Sequence, residues 1–347
     1  MSREQRQMRL LQVMAGGANG GAERFFEDLV GAFARTGVDQ ACAIRGYPER
    51  MATLARAECQ LINLPFSGPL DIFTPWKLNN FAKTWRPQVV LGWMNRACCA
   101  LPKGPWVNVG RLGGYYNLKY YRRCDHLICN TPDIRKHAIR EGWSADRAHY
   151  IPNFYSTTSG LAADRVALQT PQDAKVLLIL ARLEVAKGID VAIRALALVP
   201  ETILWIAGSG RMLGDLQALA VSCGVQDRIR FLGWRNDRAS LLRSADICLI
   251  PSRQEPFGNV VLNAWAHEVP LIAAASQGPS FLIRREEDGL LVPIDDPPAL
   301  AAAIQRILDN PNLANSLATH GKARVAAEFS EIEVVHLYQE LFDKISL

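Results

Sequence analysis

The chain has 347 residues, of which 49% are hydrophobic and 21% charged, so it is long enough for two globular domains and ordinary in composition. No apolar run approaches the roughly 20 residues of a membrane-spanning helix, and the polar start at residues 1–7 lacks a signal-peptide core, which together predict a cytoplasmic protein. The net charge of +5 is uneven, because residues 1–157 carry 21 Lys and Arg against 12 Asp and Glu, whereas the remainder carries 18 against 22.

A basic first half predicts an anionic partner, such as a phosphorylated acceptor or an anionic membrane surface. The alternative is a chance asymmetry of a solvated surface. We expect no nucleic-acid partner, because the chain carries no nucleic-acid-binding motif. The eight cysteines are scattered without a Cys-x-x-Cys pair, so we expect reduced thiols and no zinc site.

The first half alternates apolar runs with amphipathic ones. Strands are predicted at residues 8–14, 40–45, 59–64, 88–93, 106–110 and 125–129, and helices at 22–35, 49–58, 74–85 and 131–141. Alternation of this kind predicts a parallel, doubly wound sheet.

A glycine-rich loop at residues 16–21 joins the first strand to the first helix. It departs from Gly-x-Gly-x-x-Gly, which argues against a dinucleotide-binding dehydrogenase. Gly20 and Gly21 still allow a ligand to approach the backbone closely, although a plain flexible loop is the alternative.

The segment 111–121 combines Arg111 with Lys119, four tyrosines and two glycines. It is interpreted either as an acceptor or membrane loop or as a merely amphipathic stretch. The Ser-, Thr-, Gly- and Pro-containing residues 158–172 are predicted to be a linker. The predicted domains are therefore 1–157 and 173–330, with a last helix after them at 331–347.

The second half begins the same pattern again. Strands are predicted at residues 175–180, 202–207, 228–232, 245–250, 270–274 and 289–292, and helices at 191–198, from 257 onward, at 298–308 and at 331–345. This predicts a second doubly wound, Rossmann-like domain.

Several polar residues follow these strands, at the edge where α/β sheets bind ligands. Arg182 and Lys187 flank a strand-to-helix turn and would suit a diphosphate, or they are ordinary surface charges. The turns containing Gly208 and Arg235 are positioned to touch a base.

The stretch 252–266 is the most informative of the chain. It runs from an apolar strand through Glu255 to a helix start, whose backbone N–H groups favour phosphate. Glu255 would repel a phosphate unless it binds something else, and a sugar hydroxyl or a ribose is a sensible partner. An ordinary strand-turn-helix with a surface Glu is the alternative.

Taken together, these motifs resemble the retaining family 4 glycosyltransferases of GT-B fold, over essentially the whole chain. The matching residues are Gly20-Gly21-Ala22-Glu23, Arg182 with Lys187-Gly188, and Glu255-x-Phe257-Gly258. The resemblance implies that Arg182 and Lys187 hold the donor diphosphate, that Glu255 contacts the transferred sugar, and that the last helix crosses back to the first domain. It also implies a phosphate cradle formed by backbone groups of Phe257, Gly258, Asn259 and Val260, and a loop at Gly20 and Gly21 near acceptor and phosphate.

The chain departs from the family pattern at two positions. The second Glu of Glu-x7-Glu, which contacts ribose in the family, is Asn263 here, and the position nearest the histidine of many members is Arg111. Front-face retaining transfer needs positioning and charge stabilisation more than a base.

We therefore expect an enzyme of two Rossmann-like domains in a GT-B fold, acting without metal or cofactor. It would move a sugar from a nucleotide-sugar, by family frequency a UDP-sugar, to a glycan or glycolipid acceptor. The wider pattern is similar to enzymes of lipopolysaccharide-core and other envelope glycan synthesis, placed in the cytoplasm or peripherally on the membrane. The alternatives are a GT-B sugar-nucleotide epimerase or hydrolase, and a nucleotide-sugar-binding pseudoenzyme.

Overall fold

The computed structural model describes residues 8–18, 20–68, 70–156 and 160–346, which form two compact α/β units. One unit is Met1–Asn153 together with Glu331–Leu347, and the other is Phe154–Ser330. The predicted polar start at 1–7, the predicted domain boundary at Thr157 and the first linker residues 158–159 lie outside the described residues.

The first unit is built on a seven-stranded sheet in the order β3-β2-β1-β4-β5-β6-β7. Its strands are β1 (Arg9–Met14), β2 (Asp39–Ile44), β3 (Gln60–Asn63), β4 (Val89–Trp93), β5 (Val107–Leu112), β6 (His126–Cys129) and β7 (Ala148–Tyr150). All neighbouring strands are parallel, which confirms the predicted architecture.

Capping residues and prolines account for where helices of the first unit begin. They are α1 (Gly21–Arg35), α2 (Pro48–Ala55), α3 (Phe73–Trp85), α4 (Met94–Ala100), α5 (Pro132–Arg140) and, after the second unit, α13 (Glu331–Ile345). Thr131 caps α5 by accepting the Ile134 N–H at 3.1 Å, and Pro132 fits its first turn. Helix α1 buries Phe26, Leu29 and Phe33 along one stripe.

The second unit has a six-stranded parallel sheet in the order β10-β9-β8-β11-β12-β13. Its strands are β8 (Lys175–Leu180), β9 (Thr202–Ala207), β10 (Ile229–Gly233), β11 (Ile247–Ile250), β12 (Leu271–Ala274) and β13 (Leu290–Val292). Its helices are α6 (Ile189–Leu196), α7 (Leu213–Ser222), α8 (Arg238–Arg243), α9 (Asn259–Ala266), α10 (Gln277–Leu282), α11 (Pro297–Leu308) and α12 (Pro311–Glu328).

Apolar side chains cover both faces of this second sheet, as buried parallel strands require. Alternate residues such as Leu177 and Ile179 pack with α6, whereas Val176 and Leu178 pack on the side of Trp265 in α9. The carboxyl ends of the strands are left to the connecting turns, where the polar residues lie.

The segment 160–172 differs from its prediction as a linker, because it is attached to the second unit. The Ala163 N–H donates to the Ser240 carbonyl at 3.1 Å, and the buried Thr170 accepts a hydrogen bond from the Trp205 indole at 2.9 Å. Its Ser, Thr and Gly composition is typical of irregular structure. This irregular segment packs against the second unit.

The chain enters and leaves the second unit at adjacent points. Tyr155 and Ser330 form an isolated parallel bridge, and the Tyr155 N–H donates to the Phe329 carbonyl at 3.1 Å. The two ends of the second unit are therefore held side by side. Within the described residues, no helix combines the length and apolarity needed to cross a bilayer.

Candidate active site

The strand order of the second unit reverses between β8 and β11, and the turns that follow these two strands meet there. Such a switch point is where open α/β sheets bind ligands. Lys187 ends a 3₁₀ turn (Val185–Lys187) after β8, and Glu255 lies between β11 and α9.

Lys187 and Glu255 form an ion pair at the switch point. The Lys187 Nζ lies 2.6 Å from Glu255 Oε2, and each side chain is only 17% exposed. The two turns are also joined by the Gln254 N–H, which donates to the Ala186 carbonyl at 3.1 Å. A largely buried cation and carboxylate are thus held together where a ligand would bind.

Gly188 allows the two turns to approach this closely. Its φ is +61°, and a Cβ at this position would lie 2.0 Å from the Pro251 carbonyl oxygen. Any other residue would therefore force the Lys187 turn away from the Glu255 turn.

Arg253 stabilises the same arrangement and was not singled out from the sequence. Its guanidinium donates to the Val185 carbonyl at 2.7 Å and pairs with Asp190 and Asp295 at 2.7 and 2.6 Å. Its position two residues before Glu255, at a strand end, was the available signal.

Helix α9 presents its N-terminus beside Glu255. It begins at Asn259 after Gly258, whose φ of +101° turns the chain into the helix, and Phe257 is buried beneath it. Glycine has no side chain to cap the helix, and the positive end of the helix dipole favours an anion at this position. The predicted start at Phe257 was two residues early.

Arg182 pairs with a different carboxylate from the one that Lys187 contacts. Its side chain is 56% exposed and pairs with Glu184 at 3.0 Å. Gly208 approaches the same turn, since a Cβ there would lie 1.8 Å from the Ala181 carbonyl oxygen. The β8 and β9 turns are therefore in direct backbone contact.

Arg235 forms a two-point ion pair with Asp237. The two hydrogen bonds measure 2.7 and 2.5 Å, and the bond from Arg235 holds the pKa of the Asp237 carboxyl below its usual value. A base contact by Arg235 would have to share the guanidinium with this carboxylate.

Asn263 is folded back along its own helix. Its side-chain amide donates to the Asn259 carbonyl at 2.5 Å, and the Asn263 carbonyl contacts the His267 ring at 2.8 Å. The side chain is half-buried, and among the described residues only its amide nitrogen has a hydrogen-bond partner.

The described glycines of the glycine-rich loop in the first unit lie close to the Glu23 carboxylate. The first sheet reverses between β1 and β4, and this loop follows β1. Glu23 Oε1 accepts the Gly17 N–H at 2.9 Å, and a Cβ on Gly20 would lie 2.2 Å from Glu23 Oε2. Gly21 is the first residue of α1, and Glu23 lies in its first turn.

Arg111 lies in β5, whereas the sequence analysis had ended this strand at residue 110 and assigned Arg111 to the segment that follows. The Arg111 side chain is buried, with 2% of the residue exposed. Its Cζ lies 4.6 Å from the ring centroid of Phe25 and 4.8 Å from that of Trp93. Its guanidinium donates hydrogen bonds to the Tyr338 hydroxyl at 2.7 Å and to Asn153. Ring stacking and hydrogen bonds make this burial tolerable for a cation. Its contacts join β5 to α13.

The matching family models are "Glycosyltransferase Family 4" over residues 19–159 and "Glycosyl transferases group 1" over residues 162–324. The chain is 36% identical to the lipopolysaccharide core biosynthesis glycosyltransferase LpsE of Rhizobium meliloti (strain 1021), over 94% of this chain and 96% of that protein. LpsD of the same organism is 34% identical, over 94% and 96%.

The chain is a family 4 glycosyltransferase.

Solved structures agree on the fold. The crystal structure of Anabaena HepE in complex with UDP-glucose superposes with a TM-score of 0.85 at 19% identity, covering 97% of this chain and all of that one. WaaG, described as a glycosyltransferase involved in lipopolysaccharide biosynthesis, gives a TM-score of 0.72 at 18% identity, covering 97% and 99%. The GT-B fold and the family resemblance seen in the sequence are thereby confirmed.

The glycosyltransferase thus brings together Lys187, Glu255 and the α9 N-terminus, whereas Arg182 and Arg235 are paired with neighbouring acids. The roles of these residues in binding and catalysis remain predictions. Glu23 is the residue for which the sequence had given no role, although it is the fourth residue of the glycine-rich motif.

Proposed function

We propose that this glycosyltransferase moves a sugar from a UDP-sugar to a hydroxyl of lipopolysaccharide core or a related envelope glycolipid, with retention of anomeric configuration. The names of LpsE and LpsD support the acceptor class, and the UDP-glucose complex of HepE supports the donor class. The reaction would take place at the cytoplasmic face of the membrane, where nucleotide-sugar and glycolipid acceptor meet.

The observation that carries the proposal is the Lys187–Glu255 pair beside the α9 N-terminus. A diphosphate at the switch point would be bound by Lys187, by the exposed Arg182 and by backbone groups of Gly258, Asn259 and Val260. Glu255 would exchange its bond to Lys187 for a hydroxyl of the sugar. Asn263 would offer its free amide oxygen to a ribose hydroxyl, and the Gly208 and Arg235 turns would lie by the base.

Transfer would then occur on one face of the sugar. The acceptor oxygen forms a bond to the anomeric carbon as the bond from that carbon to the diphosphate oxygen breaks, and the acceptor proton passes to the departing phosphate. Lys187 and Arg182 would stabilise the charge that develops on the diphosphate, so that the step needs neither a metal nor a cofactor.

In the first unit, Gly20 and Gly21 would line the approach of acceptor and phosphate. Arg111 is too deeply buried for the acceptor contact predicted for it, so we assign it to positioning α13.

The proposal is tested with core-truncated lipopolysaccharides as acceptors and a panel of UDP-, GDP- and ADP-sugars, with EDTA present. NMR of the product should show the anomeric configuration of the donor. Lys187→Ala should lower kcat about 10²-fold or more, as the loss of one preorganised electrostatic contact does. Lys322→Ala, which removes an exposed ion pair elsewhere in the second unit, is the matched control.

The alternatives have distinct outcomes in this assay. Donor consumption without acceptor would indicate a hydrolase or epimerase. Donor binding, seen as thermal stabilisation, without transfer to any acceptor would indicate a pseudoenzyme. Wild-type turnover by Lys187→Ala would refute the assigned role, and an inverted product would refute retention.

A further inference from the structure

A buried arginine of α2 contacts the glycine-rich loop of the first unit. Arg50 is 2% exposed, and proteins almost never bury an arginine without partners. Its Nη2 donates to the Gly17 carbonyl at 2.7 Å and to the Ala18 carbonyl at 3.2 Å. The loop is therefore held by a side chain that lies 32 and 33 positions further along the chain.

The order of the strands brings α2 to this loop. Strands β1 and β2 are parallel neighbours in which Met14 pairs with Ile44, so the segments that follow them lie at one edge of the sheet. The Arg45 N–H continues this pairing by donating to the Met14 carbonyl at 3.1 Å. The glycine-rich loop follows β1 and α2 follows β2, so Arg50, in the first turn of α2, lies within reach of the loop.

Two further contacts fix the orientation of Arg50. Its Nε donates to Glu27 Oε1 at 3.1 Å, and the two side chains are only 1% and 13% exposed. Its Cζ lies 5.3 Å from the centroid of the Tyr47 ring. Because the guanidinium is planar and rigid, bonds at Nε and at Nη2 together determine its position. Arg50 thus joins the loop to Glu27 of α1, the helix that the loop precedes.

Arg50 determines which way the peptide groups of the loop face. In a planar trans peptide, the carbonyl of one residue and the N–H of the next point in opposite directions. Because the Gly17 carbonyl faces Arg50, the Ala18 N–H points away from it. The N–H of Gly17 is bonded to Glu23 Oε1 at 2.9 Å. An arginine and a glutamate from outside the loop therefore set its backbone orientation.

Stability alone does not account for an arginine at position 50. Its Nη1 is buried and has no hydrogen-bond partner among the described residues. A buried donor without a partner costs free energy, and apolar side chains of similar volume often stabilise a fold better than a buried ion pair does. The two bonds to the loop carbonyls, in contrast, require a hydrogen-bond donor.

We propose that Arg50 is a positioning residue of the transfer reaction, which fixes the glycine-rich loop in the shape that receives the acceptor. The inference rests on the function proposed above, in which Gly20 and Gly21 line the approach of the acceptor. Glycine-rich backbone has many accessible conformations, so restricting it before binding reduces the entropy that binding must overcome. Arg50 acts through the loop and does not contact the reacting atoms.

The expected kinetic effect differs from that of lost stability. Without Arg50, the acceptor itself must order the loop, so acceptor binding weakens and the acceptor KM rises. A purely structural role would instead lower the amount of folded enzyme, which reduces the apparent kcat and leaves the KM unchanged. The change in acceptor KM therefore distinguishes positioning from stability.

The test variant is Arg50→Met combined with Glu27→Gln, which removes both charges so that neither remains buried alone. Circular dichroism and thermal unfolding establish that this double variant is folded. With core-truncated lipopolysaccharide as acceptor and saturating UDP-sugar, its acceptor KM should rise about tenfold, the effect of one charge-assisted hydrogen bond.

The matched control is Arg135, another arginine of the first unit that donates to two backbone carbonyls. Its guanidinium bonds the Ala145 carbonyl at 2.9 Å and the Ala148 carbonyl at 2.6 Å, and neither residue belongs to the glycine-rich loop. Arg135→Met should therefore leave the acceptor KM as in the parent.

The order of the loop is measured separately, without any substrate. Amide hydrogen exchange in peptides covering residues 15–24 should be at least about fivefold faster in the double variant, because the loop loses its two carbonyl contacts. Exchange in the same peptides should match the parent in Arg135→Met.

A parent-like acceptor KM in the folded double variant would overturn the proposal, and so would loop exchange at the parent's rate. An equal rise of the acceptor KM in Arg135→Met would also overturn it, because the effect would then come from lost stability. Failure of the proposed function has a different signature. If the parent transfers sugar to no acceptor, faster loop exchange in the double variant would still show that Arg50 orders the loop.

Discussion

Neutralising Glu255 should tighten the binding of UDP while slowing transfer. Lys187 is bonded to the Glu255 carboxylate at 2.6 Å, with both side chains largely buried, so a diphosphate that binds Lys187 must compete with this carboxylate. In Glu255→Gln, the competing partner is a neutral amide. A charge-assisted bond is roughly twice as strong as a neutral one, a difference of about 1 kcal/mol, so the dissociation constant for UDP should fall about fivefold.

The assay is calorimetric titration of UDP at constant ionic strength. Lys187→Met should bind UDP at least tenfold more weakly, because it loses a charge-assisted contact of about 1.5–3 kcal/mol. In the Lys187→Met background, most of the gain from Glu255→Gln should disappear, because the gain acts through Lys187. With a UDP-sugar, Glu255→Gln should have a kcat lowered by about 10²-fold, since the contact with the sugar is weakened.

Glu268→Gln is the control, because Glu268 also pairs with a lysine, Lys322 at 2.9 Å, but on an exposed surface. It should bind UDP as the parent does. If Glu255→Gln binds UDP no more tightly than this control, the carboxylate does not compete with the nucleotide for Lys187.

Two further predictions concern the first unit. Arg111→Met should lower the free energy of unfolding by about 2–3 kcal/mol, because the Tyr338 hydroxyl and Asn153 lose the buried guanidinium that bonds to them. Amide hydrogen exchange in α13 should also become faster. Urea unfolding and hydrogen exchange equal to those of the parent would contradict this prediction. Burial, together with neighbouring His126, lowers the pKa of His149 from 6.5 to about 4, so the unfolded chain binds a proton between these values that the folded chain does not. The free energy of unfolding should therefore fall as the pH drops from 6.5 to about 4. The decrease should be at most about 2 kcal/mol, because the ring is half-exposed. In His149→Gln, the free energy of unfolding should depend less on pH over this range.

The alternation of strands and helices was predictable because buried parallel strands are short apolar runs, and most predicted strands lie within two residues of the observed ones. Helix α12 was missed, because its 18 residues carry no clear apolar stripe. Its fit depends on Gly321, where a Cβ would lie 2.1 Å from the Trp265 ring, a contact that no local pattern reveals. Helix α4 was missed because it follows β4 without a connecting turn.

The position of the site was predictable where its residues directly follow strands, because the carboxyl ends of parallel strands meet at one edge of the sheet. Lys187 and Glu255 both follow strands, so their approach to one sheet edge could be expected. Their ion pair could not, because it joins residues 68 positions apart through the fit of Gly188 against Pro251. Arg111 was assigned to the segment after the strand, together with its tyrosines and glycines, whereas its contacts with the rings of Phe25 and Trp93 hold it in a buried strand.

The pairing of Tyr155 with Ser330 has a consequence for how such enzymes diversify. Because both ends of the second unit meet at one point, the unit is attached to the rest of the chain as a domain insertion, a kind of junction that proteins tolerate well. Recombination at these two neighbouring positions would exchange the whole segment 154–330 between relatives while leaving α13 joined to its own first unit. If donor and acceptor bind to the two units as proposed, one such exchange would alter the donor specificity and leave the acceptor specificity unchanged.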